Sequence, residues 1–213
     1  MALSTAHYAI AGTAAVVIGL VATYSLTRKS ALDAFAACGG NQIAGPASAI
    51  GGAFTLTDMN GKRVSDKDVL KKPSLVYFGY TSCPDVCPTD MGRNAQAVDI
   101  LEEEGYDVTP VFISVDPARD TPAVLKEWTG FMHPKMIGLT GTPAELSAVA
   151  KEYKTFYQVP DAPTDQNYEV QHMTLTYLML PGVGFANFFN SEDSADLVAE
   201  RTACYAEAAK DLR

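Results

Sequence analysis

Positive charge is scarce in this 213-residue chain, and charge of either sign is missing from its first 27 positions. Beyond Arg28 and Lys29, the remaining 14 basic residues face 25 acidic ones, which gives a net charge of −11. Nucleic acids need a basic surface that neutralises their phosphates, so this composition argues against a nucleic-acid partner. An acidic surface instead suits a partner with a positively charged face.

Cysteine and histidine, the residues that hold soft metals, are also few. They are Cys38, Cys83, Cys87, Cys204, His7, His133 and His172. Structural zinc normally takes four protein ligands, and no second cysteine–histidine pair is present to complete such a site. Internal repeats are absent as well, so the length predicts one domain with a sizeable core, or at most two small ones.

Residues 8–26 form an apolar run without charge that ends just before Arg28 and Lys29. A helix of about 20 apolar residues spans a bilayer, so we expect residues 1–29 to form an uncleaved membrane anchor. A long cleavable signal is the alternative, because Ala34-Phe35-Ala36 has the small-x-small pattern that signal peptidases accept. The positive-inside rule would place the following domain in the cytoplasm, although two charges are a weak bias.

The rest of the chain divides into a tether and one folded domain. Residues 30–52 are rich in Ala and Gly and predict a flexible tether, and residues 53–213 predict the domain. Turn signals, apolar runs and helix caps predict, in order, a hairpin over 54–64, a buried strand over 74–80, a helix from Thr89 to Gly105, a second buried strand over 109–115, helices opening at Thr121-Pro122 and Thr142-Pro143, strands over 175–180 and 184–189, and a closing helix over 195–212. This order predicts an α/β domain with a central mixed sheet flanked by helices, and a thioredoxin-like fold fits it.

The run Cys83-Pro84-Asp85-Val86-Cys87 carries the strongest chemical signal. It lies where the strand over 74–80 ends and a helix is about to begin, and the unpaired amides of a helix N-terminus favour thiolate over thiol. Taken alone, the two cysteines fit a redox pair, a structural disulfide or two ligands of a metal. The loop is one residue wider than the C-x-x-C motif of thioredoxins, and this width lets both sulfurs face one point. We interpret Asp85 as a loop residue that tunes local charge.

A histidine is the expected third participant. His133 is predicted at the end of a helix, where a histidine commonly serves as a cap or a charge. His172 stands at the start of an apolar strand over 170–175. A hydrogen-bonded structural role is the more common outcome for a lone histidine beside a strand. The residues alone therefore leave His172 open between a structural role and a ligand.

Four segments, taken in order, resemble the core of the Sco/SenC copper-chaperone family. They are residues 72–88 (KPSLVYFGYTSCPDVCP), 111–122 (VFISVDPARDTP), 138–141 (GLTG) and 170–172 (VQH). With the similar start at 51–56, the resemblance covers roughly residues 51–190. It implies a thioredoxin fold on a single-pass tether in the inner membrane, with the domain facing the periplasm, or the intermembrane space if the protein is mitochondrial.

The resemblance also implies that copper is bound by Cys83, Cys87 and His172. It implies a role in assembling the dinuclear copper centre of cytochrome c oxidase subunit II, by delivering copper, by reducing the cysteines of the target, or both. Subunit II and other copper chaperones or thiol reductants are the implied partners. The donor set agrees with this, because two thiolates and one imidazole suit Cu(I) and tolerate Cu(II). Three protein ligands also leave an open side where a partner's sulfur can bind.

Two further features have structural interpretations. Cys38 and Cys204 are compatible with a disulfide, which would need an oxidising compartment, while lipidation of Cys38 or free thiols stay open. Asp116, Arg119 and Asp120 match the family signature, and we interpret them as a turn held by an Arg–carboxylate pair ahead of the helix that opens at Pro122.

The competing hypothesis is that the protein is an enzyme, and the sequence does not decide whether it has enzymatic activity. Cys83 and Cys87 could serve a thiol–disulfide oxidoreductase, a peroxiredoxin-like reductase or a redox-signalling protein. Peroxiredoxins place Thr three residues before the reactive Cys, whereas this chain has Tyr80 there, which counts against peroxidase activity. His172 distinguishes a thiol reductase from a copper carrier, because a pure reductase does not need this histidine and a copper carrier does.

Overall fold

The computed structural model describes residues 34–40, 49–160 and 168–212. The predicted anchor over 1–29 lies outside the described residues, and so does most of the predicted tether over 30–52. No helix within the described ranges is both long enough and apolar enough to cross a bilayer.

Strands and helices alternate along the domain. The strands are β1 (Thr55–Asp58), β2 (Arg63–Ser65), β3 (Ser74–Gly79), β4 (Thr109–Ser114), β5 (Ile137–Thr140), β6 (Tyr157–Gln158), β7 (Gln171–His172), β8 (Thr176–Leu180) and β9 (Gly184–Phe189). The helices are α1 (Asp66–Val69), α2 (Val86–Glu103), α3 (Pro122–Met132), α4 (Pro143–Glu152) and α5 (Ala195–Ala208). Short 3₁₀ helices lie at Ala36–Cys38 and Ala209–Leu212.

One mixed sheet of seven strands forms the centre, in the order β2-β1-β5-β4-β3-β8-β9. Strands β3, β4 and β5 run parallel, and β1 and β8 pair antiparallel to β5 and β3. At the edges, β2 pairs antiparallel to β1 and β9 antiparallel to β8. All six residues of β3 are buried, which confirms the prediction of a strand covered on both faces. Strands β6 and β7 pair only with each other among the described residues and form a separate two-stranded ribbon.

Helices cover both faces of this sheet. Side chains alternate along β3, so Tyr77 and Phe78 point to opposite faces. On one face Tyr77 stacks on Phe112, whose ring lies 4.5 Å from Trp128 of α3. On the other face Phe78 packs 5.2 Å from Tyr153 at the end of α4. Helices α2 and α5 pack on each other and share an apolar cluster with β3, β8 and β9. This confirms the predicted α/β architecture with a central mixed sheet.

Local sequence signals fix most of the element ends. Thr121 and Thr142 cap α3 and α4 through side chains that accept from backbone amides, and each helix opens on proline, as predicted. Asp58 holds the predicted hairpin turn by accepting from the amides of Asn60 and Lys62. These caps and turns confirm the predicted starts of both helices and the predicted hairpin.

Two predicted boundaries are wrong, and strand β5 was missed. Helix α2 begins at Val86 rather than Thr89, so Cys87 belongs to its first turn. The closing helix ends at Ala208, and the chain continues in a 3₁₀ helix rather than an α-helix. Strand β5 was not predicted as a strand, because four residues that include Gly138 give a weak strand signal and pairing with β4 decides the conformation.

The chain before the sheet is fastened to the far end of α5. Cys38 and Cys204 form a disulfide that joins positions 166 residues apart. The Tyr205 hydroxyl donates to the Gly39 carbonyl over 2.7 Å, and its ring lies 4.9 Å from that of Phe35. From the sequence, a disulfide, lipidation of Cys38 and free thiols were all open. The structure contains the disulfide, and packing around Tyr205 reinforces it.

Candidate metal centre

The two motif cysteines lie on the connection between the central strand and the first turn of α2. Cys83 follows β3 after three residues, and the Cys87 amide donates to the Cys83 sulfur over 3.4 Å. The N-terminus of α2 therefore directs a backbone N–H at the Cys83 sulfur. Both cysteines are free thiols, and Cys83 is 7% exposed while Cys87 is fully buried.

His172 reaches the cysteines from the separate ribbon. It ends β7, opposite Tyr157 of β6, rather than standing at the start of an apolar strand over 170–175 as predicted. That prediction is wrong because the chain from Met173 to Leu175 forms no strand before β8 begins at Thr176. The ribbon brings His172 Nε2 to 3.3 Å from the Cys87 sulfur.

A hydrogen bond at the other ring nitrogen fixes the orientation of His172. Its Nδ1 lies 3.1 Å from the Met173 carbonyl oxygen, which is an acceptor only, so we assign the proton to Nδ1. Nε2 then keeps its lone pair toward Cys87. A histidine whose second nitrogen donates to a carbonyl is the usual arrangement for a metal ligand.

The three predicted ligands come together. The sulfurs of Cys83 and Cys87 and a nitrogen of His172 all lie within 4.8 Å of one another. No other group of three or more such side chains lies together within the described part of the chain. A groove of about 400 Å³ opens over the cluster, and its lining includes Tyr80, Asp85 and Glu169. The geometry can hold one metal ion and leaves one side accessible from solvent.

Burial controls the protonation of the cluster. Burial lowers the pKa of His172, so its imidazole is neutral around pH 7 and available as a ligand. Burial raises the pKa of the Cys87 thiol well above its usual range. We expected the helix N-terminus to favour the thiolate, and for Cys87 that expectation is wrong because loss of water raises its pKa by more than the hydrogen bonds from the Tyr80 backbone and the Tyr77 side chain lower it. A metal must therefore displace the Cys87 proton in order to bind.

The strand before the motif makes room for the Cys87 sulfur. A Cβ atom at Gly79 would lie 2.8 Å from the Cys87 sulfur and 2.9 Å from Cε1 of Tyr77, closer than real Cβ atoms approach. Sequence reasoning missed this role of Gly79. Glycine inside a buried strand is the available signal, since it often marks the close approach of another group.

A buried turn after β4 supports the cysteine loop. The Asp120 carboxylate accepts from the Thr81 amide over 3.0 Å, from the Thr81 hydroxyl over 2.5 Å and from the Ser114 hydroxyl over 2.5 Å. Asp120 thus fixes the residue two positions before Cys83. The turn was predicted, but this link to the cysteine loop was missed because it joins residues 39 positions apart.

The same turn also holds the segment that leads to His172. Arg119 pairs with Asp116 over 2.5 Å, as predicted, and Asp116 accepts from the Tyr168 hydroxyl over 2.7 Å. The Arg119 guanidinium lies 3.6 Å above the Tyr168 ring, a cation–π contact. The turn over 116–120 therefore positions both the cysteine loop and the segment that carries His172.

His133 does not join the cluster. His133 caps the end of α3, where its Nε2 lies 3.1 Å from Asp99 and its Nδ1 accepts from the Lys135 amide. This confirms the predicted structural role of His133. His7 lies outside the described residues.

Comparison with known proteins identifies close relatives. A model of the SCO1/SenC family matches residues 43–207. Protein SenC of Rhodobacter capsulatus is 51% identical over 211 residues, which cover 98% of this chain and 94% of that protein. The crystal structure of Arabidopsis thaliana ScoI with copper bound has a TM-score of 0.70 at 40% identity, covering 76% of this chain and 99% of that chain. The structure of Bradyrhizobium japonicum ScoI with copper bound has a TM-score of 0.66 at 40% identity, covering 74% and 99%.

Proposed function

The chain belongs to the SCO1/SenC family, as its four motifs predict, and on that premise we propose that it is a copper metallochaperone for cytochrome c oxidase. In the full proposal, the domain is tethered to the membrane and serves assembly of the dinuclear copper centre of subunit II. The observation that carries the proposal is the convergence of Cys83, Cys87 and His172 within 4.8 Å under an open groove.

The donor set suits copper as a cargo. Two sulfurs and one imidazole nitrogen form a soft set that prefers Cu(I) and accepts Cu(II). Copper binding would release the Cys87 proton to solvent, while neutral His172 already presents a free lone pair. Because three protein ligands leave one side open, a sulfur ligand from subunit II or from another copper chaperone can bind before the first ligand leaves. Transfer then proceeds by ligand exchange without free copper.

The Cys38–Cys204 disulfide supports placement of the domain in an oxidising compartment. Disulfides persist in the periplasm and similar spaces and are rare in the cytosol. The disulfide is a stronger argument than the two positive charges of Arg28 and Lys29, which would favour a cytoplasmic domain. We therefore propose that the domain lies in the periplasm, or in the intermembrane space if the protein is mitochondrial. The disulfide also fastens the chain at the last turns of α5, while Ser191, just before α5, contacts Asp90 in the first turns of α2 beside Cys87.

Copper stoichiometry tests the proposal. The full-length chain, purified in mild detergent with thiols reduced, should retain one Cu(I) per chain, and its Cu(II) form should show a sulfur-to-copper charge-transfer band. His172→Ala should lose the band and stoichiometric copper. His133→Ala is the matched control, because His133 is a buried histidine outside the cluster, and it should retain both. Equal copper retention by the two variants would refute the proposed site.

A thiol–disulfide oxidoreductase is the second candidate, favoured by the different exposure of the two cysteines. Cys83 lines the groove and Cys87 is fully buried, which suits an attacking and a resolving thiol. Cys83 thiolate would attack a target disulfide, Cys87 would release the reduced target, and the pair would end as a disulfide. Insulin-disulfide reduction by protein that retains no copper, with His172→Ala as active as wild type, would establish this function instead.

A further inference from the structure

His172 needs side-chain contacts to hold it against the cysteines. It lies on β7, a strand of two residues that pairs only with β6 among the described residues, whereas both cysteines lie where the central strand leads into α2. A two-stranded ribbon this short is marginally stable by itself, so it defines the place of an imidazole poorly. The bond from Nδ1 to the Met173 carbonyl orients the ring only relative to its own segment.

Tyr80 supplies such a contact through its side chain. It follows β3 directly, is 3% exposed and lines the groove over the cluster. Its ring centroid lies 5.7 Å from that of His172 and the two planes meet at 89°, the edge-to-face arrangement that aromatic pairs favour. The Tyr80 hydroxyl also accepts a hydrogen bond from the backbone of Val170, two residues before His172. Ring and hydroxyl therefore both contact the segment that carries the imidazole.

Arg119 holds the Tyr80 ring in place. Its guanidinium carbon lies 5.4 Å from the centre of that ring, within the range of a cation–π contact. The same guanidinium is fixed by its ion pair with Asp116 and by the Tyr168 ring. Tyr80 is thus a fixed surface against which His172 packs.

The main chain of Tyr80 contacts the two cysteines. The Cys83 amide donates to the Tyr80 carbonyl over 3.2 Å, and the Tyr80 backbone forms a hydrogen bond with the Cys87 sulfur. Tyr80 therefore contacts all three ligands of the cluster, the cysteines through its main chain and the histidine through its side chain. A substitution at position 80 keeps the main-chain bonds, so it tests the contact with His172 separately.

We propose that Tyr80 is a positioning residue for copper binding, whose side chain holds the His172 imidazole within reach of the Cys83 and Cys87 sulfurs. Tyr80 does not itself coordinate copper, and it exchanges no proton or electron. Removing a residue that orients a metal ligand typically weakens metal binding by about 10- to 100-fold. This inference deepens the proposed copper binding and rests on it.

Tyr80→Leu and Tyr80→Phe test the inference in the full-length protein, purified in mild detergent with thiols reduced. Tyr80→Leu removes the ring and should bind Cu(I) about 10- to 100-fold less tightly in competition with bathocuproine disulfonate. Electron paramagnetic resonance of the Cu(II) that remains bound should show a smaller coupling to an imidazole nitrogen than in wild type. Tyr80→Phe keeps the ring and should restore both the affinity and the coupling.

Tyr153→Leu is the matched control. Tyr153 is a fully buried tyrosine that packs edge to face on Phe78 and Tyr177, on the face of the sheet that α4 covers. Both leucine variants lose a buried ring and should lower the melting temperature. Only Tyr80→Leu should change the nitrogen coupling, which a purely structural role of Tyr80 would leave at wild type.

The wild-type protein offers a measurement that needs no variant to fold. Nuclear Overhauser effects between the ring protons of Tyr80 and His172 should appear in the Cu(I)-loaded protein, and their absence overturns the inference. A Tyr80→Leu variant with wild-type affinity and nitrogen coupling also overturns it, while copper binding stands. Failure of the wild-type protein to retain copper overturns the proposed function, and the inference with it.

Discussion

Cys83 and Cys87 are four residues apart and remain free thiols, whereas Cys38 and Cys204 are 166 residues apart and form a disulfide. The first pair lies at the start of α2, next to an imidazole and under an open groove. The second pair lies near the end of α5. Cys204 is nine residues, or about 14 Å of helix, beyond Ala195, the first residue of that helix. The two pairs thus occupy different ends of the helical layer.

The surroundings of each pair decide what it can do. The Cys38–Cys204 bond adds a covalent link to contacts that already hold Phe35 and Gly39 against Tyr205. The Cys83–Cys87 pair instead faces a third ligand and a space kept open by Gly79. Position in the fold therefore distinguishes a cysteine pair that stabilises from a pair that carries chemistry, although the residue type is the same.

The largest effect should come from breaking the disulfide. Cys38→Ser/Cys204→Ser should lower the free energy of unfolding by about 2–4 kcal/mol, because the bond restricts the unfolded chain. Chemical denaturation of the full-length protein in detergent measures this change. Copper stoichiometry should stay at wild type, since neither residue belongs to the cluster. Cys87→Ser is the converse control, because it should lose copper and retain the disulfide. A loss of copper in the double serine variant would contradict the conclusion that one cysteine pair stabilises the fold and the other binds copper.

A smaller effect should come from filling the space beside Cys87. Gly79→Ala places a methyl group 2.8 Å from the Cys87 sulfur in a fully buried strand, so it should cost about 1–3 kcal/mol and weaken copper retention. Gly92→Ala is the matched control, because Gly92 is an exposed residue in α2 whose Cβ would meet nothing within 4 Å. That change should stabilise the protein by up to about 1 kcal/mol. Thermal unfolding of both variants, side by side, would show whether the space is needed.

The sequence predicted the fold more completely than the details of the site. Strand β3, the caps Thr121 and Thr142 and the hairpin turn rest on local residue patterns, and these predictions are confirmed. The convergence of His172 with the cysteines followed from family resemblance and not from periodicity, because a two-residue ribbon gives no periodic signal.

The remaining features depend on contacts between distant parts of the chain. The role of Gly79 requires knowing which atom lies across from it, and the bond from Thr81 to Asp120 joins two separate loops. The protonation of Cys87 depends on how deeply the first turn of α2 is buried. None of these quantities can be read from neighbouring residues, so the expectation of a stabilised thiolate at the helix N-terminus was wrong for Cys87.

The protonation of the cluster leads to the last expected effect, a pH dependence that the disulfide pair cannot show. Burial raises the pKa of Cys87, so copper must displace a proton around pH 7, while the lowered pKa of His172 keeps the imidazole neutral there. The apparent affinity for Cu(I) should therefore rise with pH, by about tenfold per pH unit for each thiol proton displaced, which corresponds to about 1.4 kcal/mol. Competition titrations with bathocuproine disulfonate between about pH 6.5 and 8.5 measure this slope.

The stability of the copper-free protein should respond to pH in the opposite direction. Because the folded pKa of Cys87 lies above its unfolded value, the folded state holds this proton more tightly than the unfolded state does. Its contribution is fully present below the unfolded pKa, about 8.5, and is lost progressively as pH rises above it. Cys87→Ser removes this titration, so the difference in unfolding free energy between wild type and variant should shrink above about pH 8.5. A pH-independent difference, together with a flat copper affinity, would mean that Cys87 is already a thiolate and that the helix N-terminus outweighs burial.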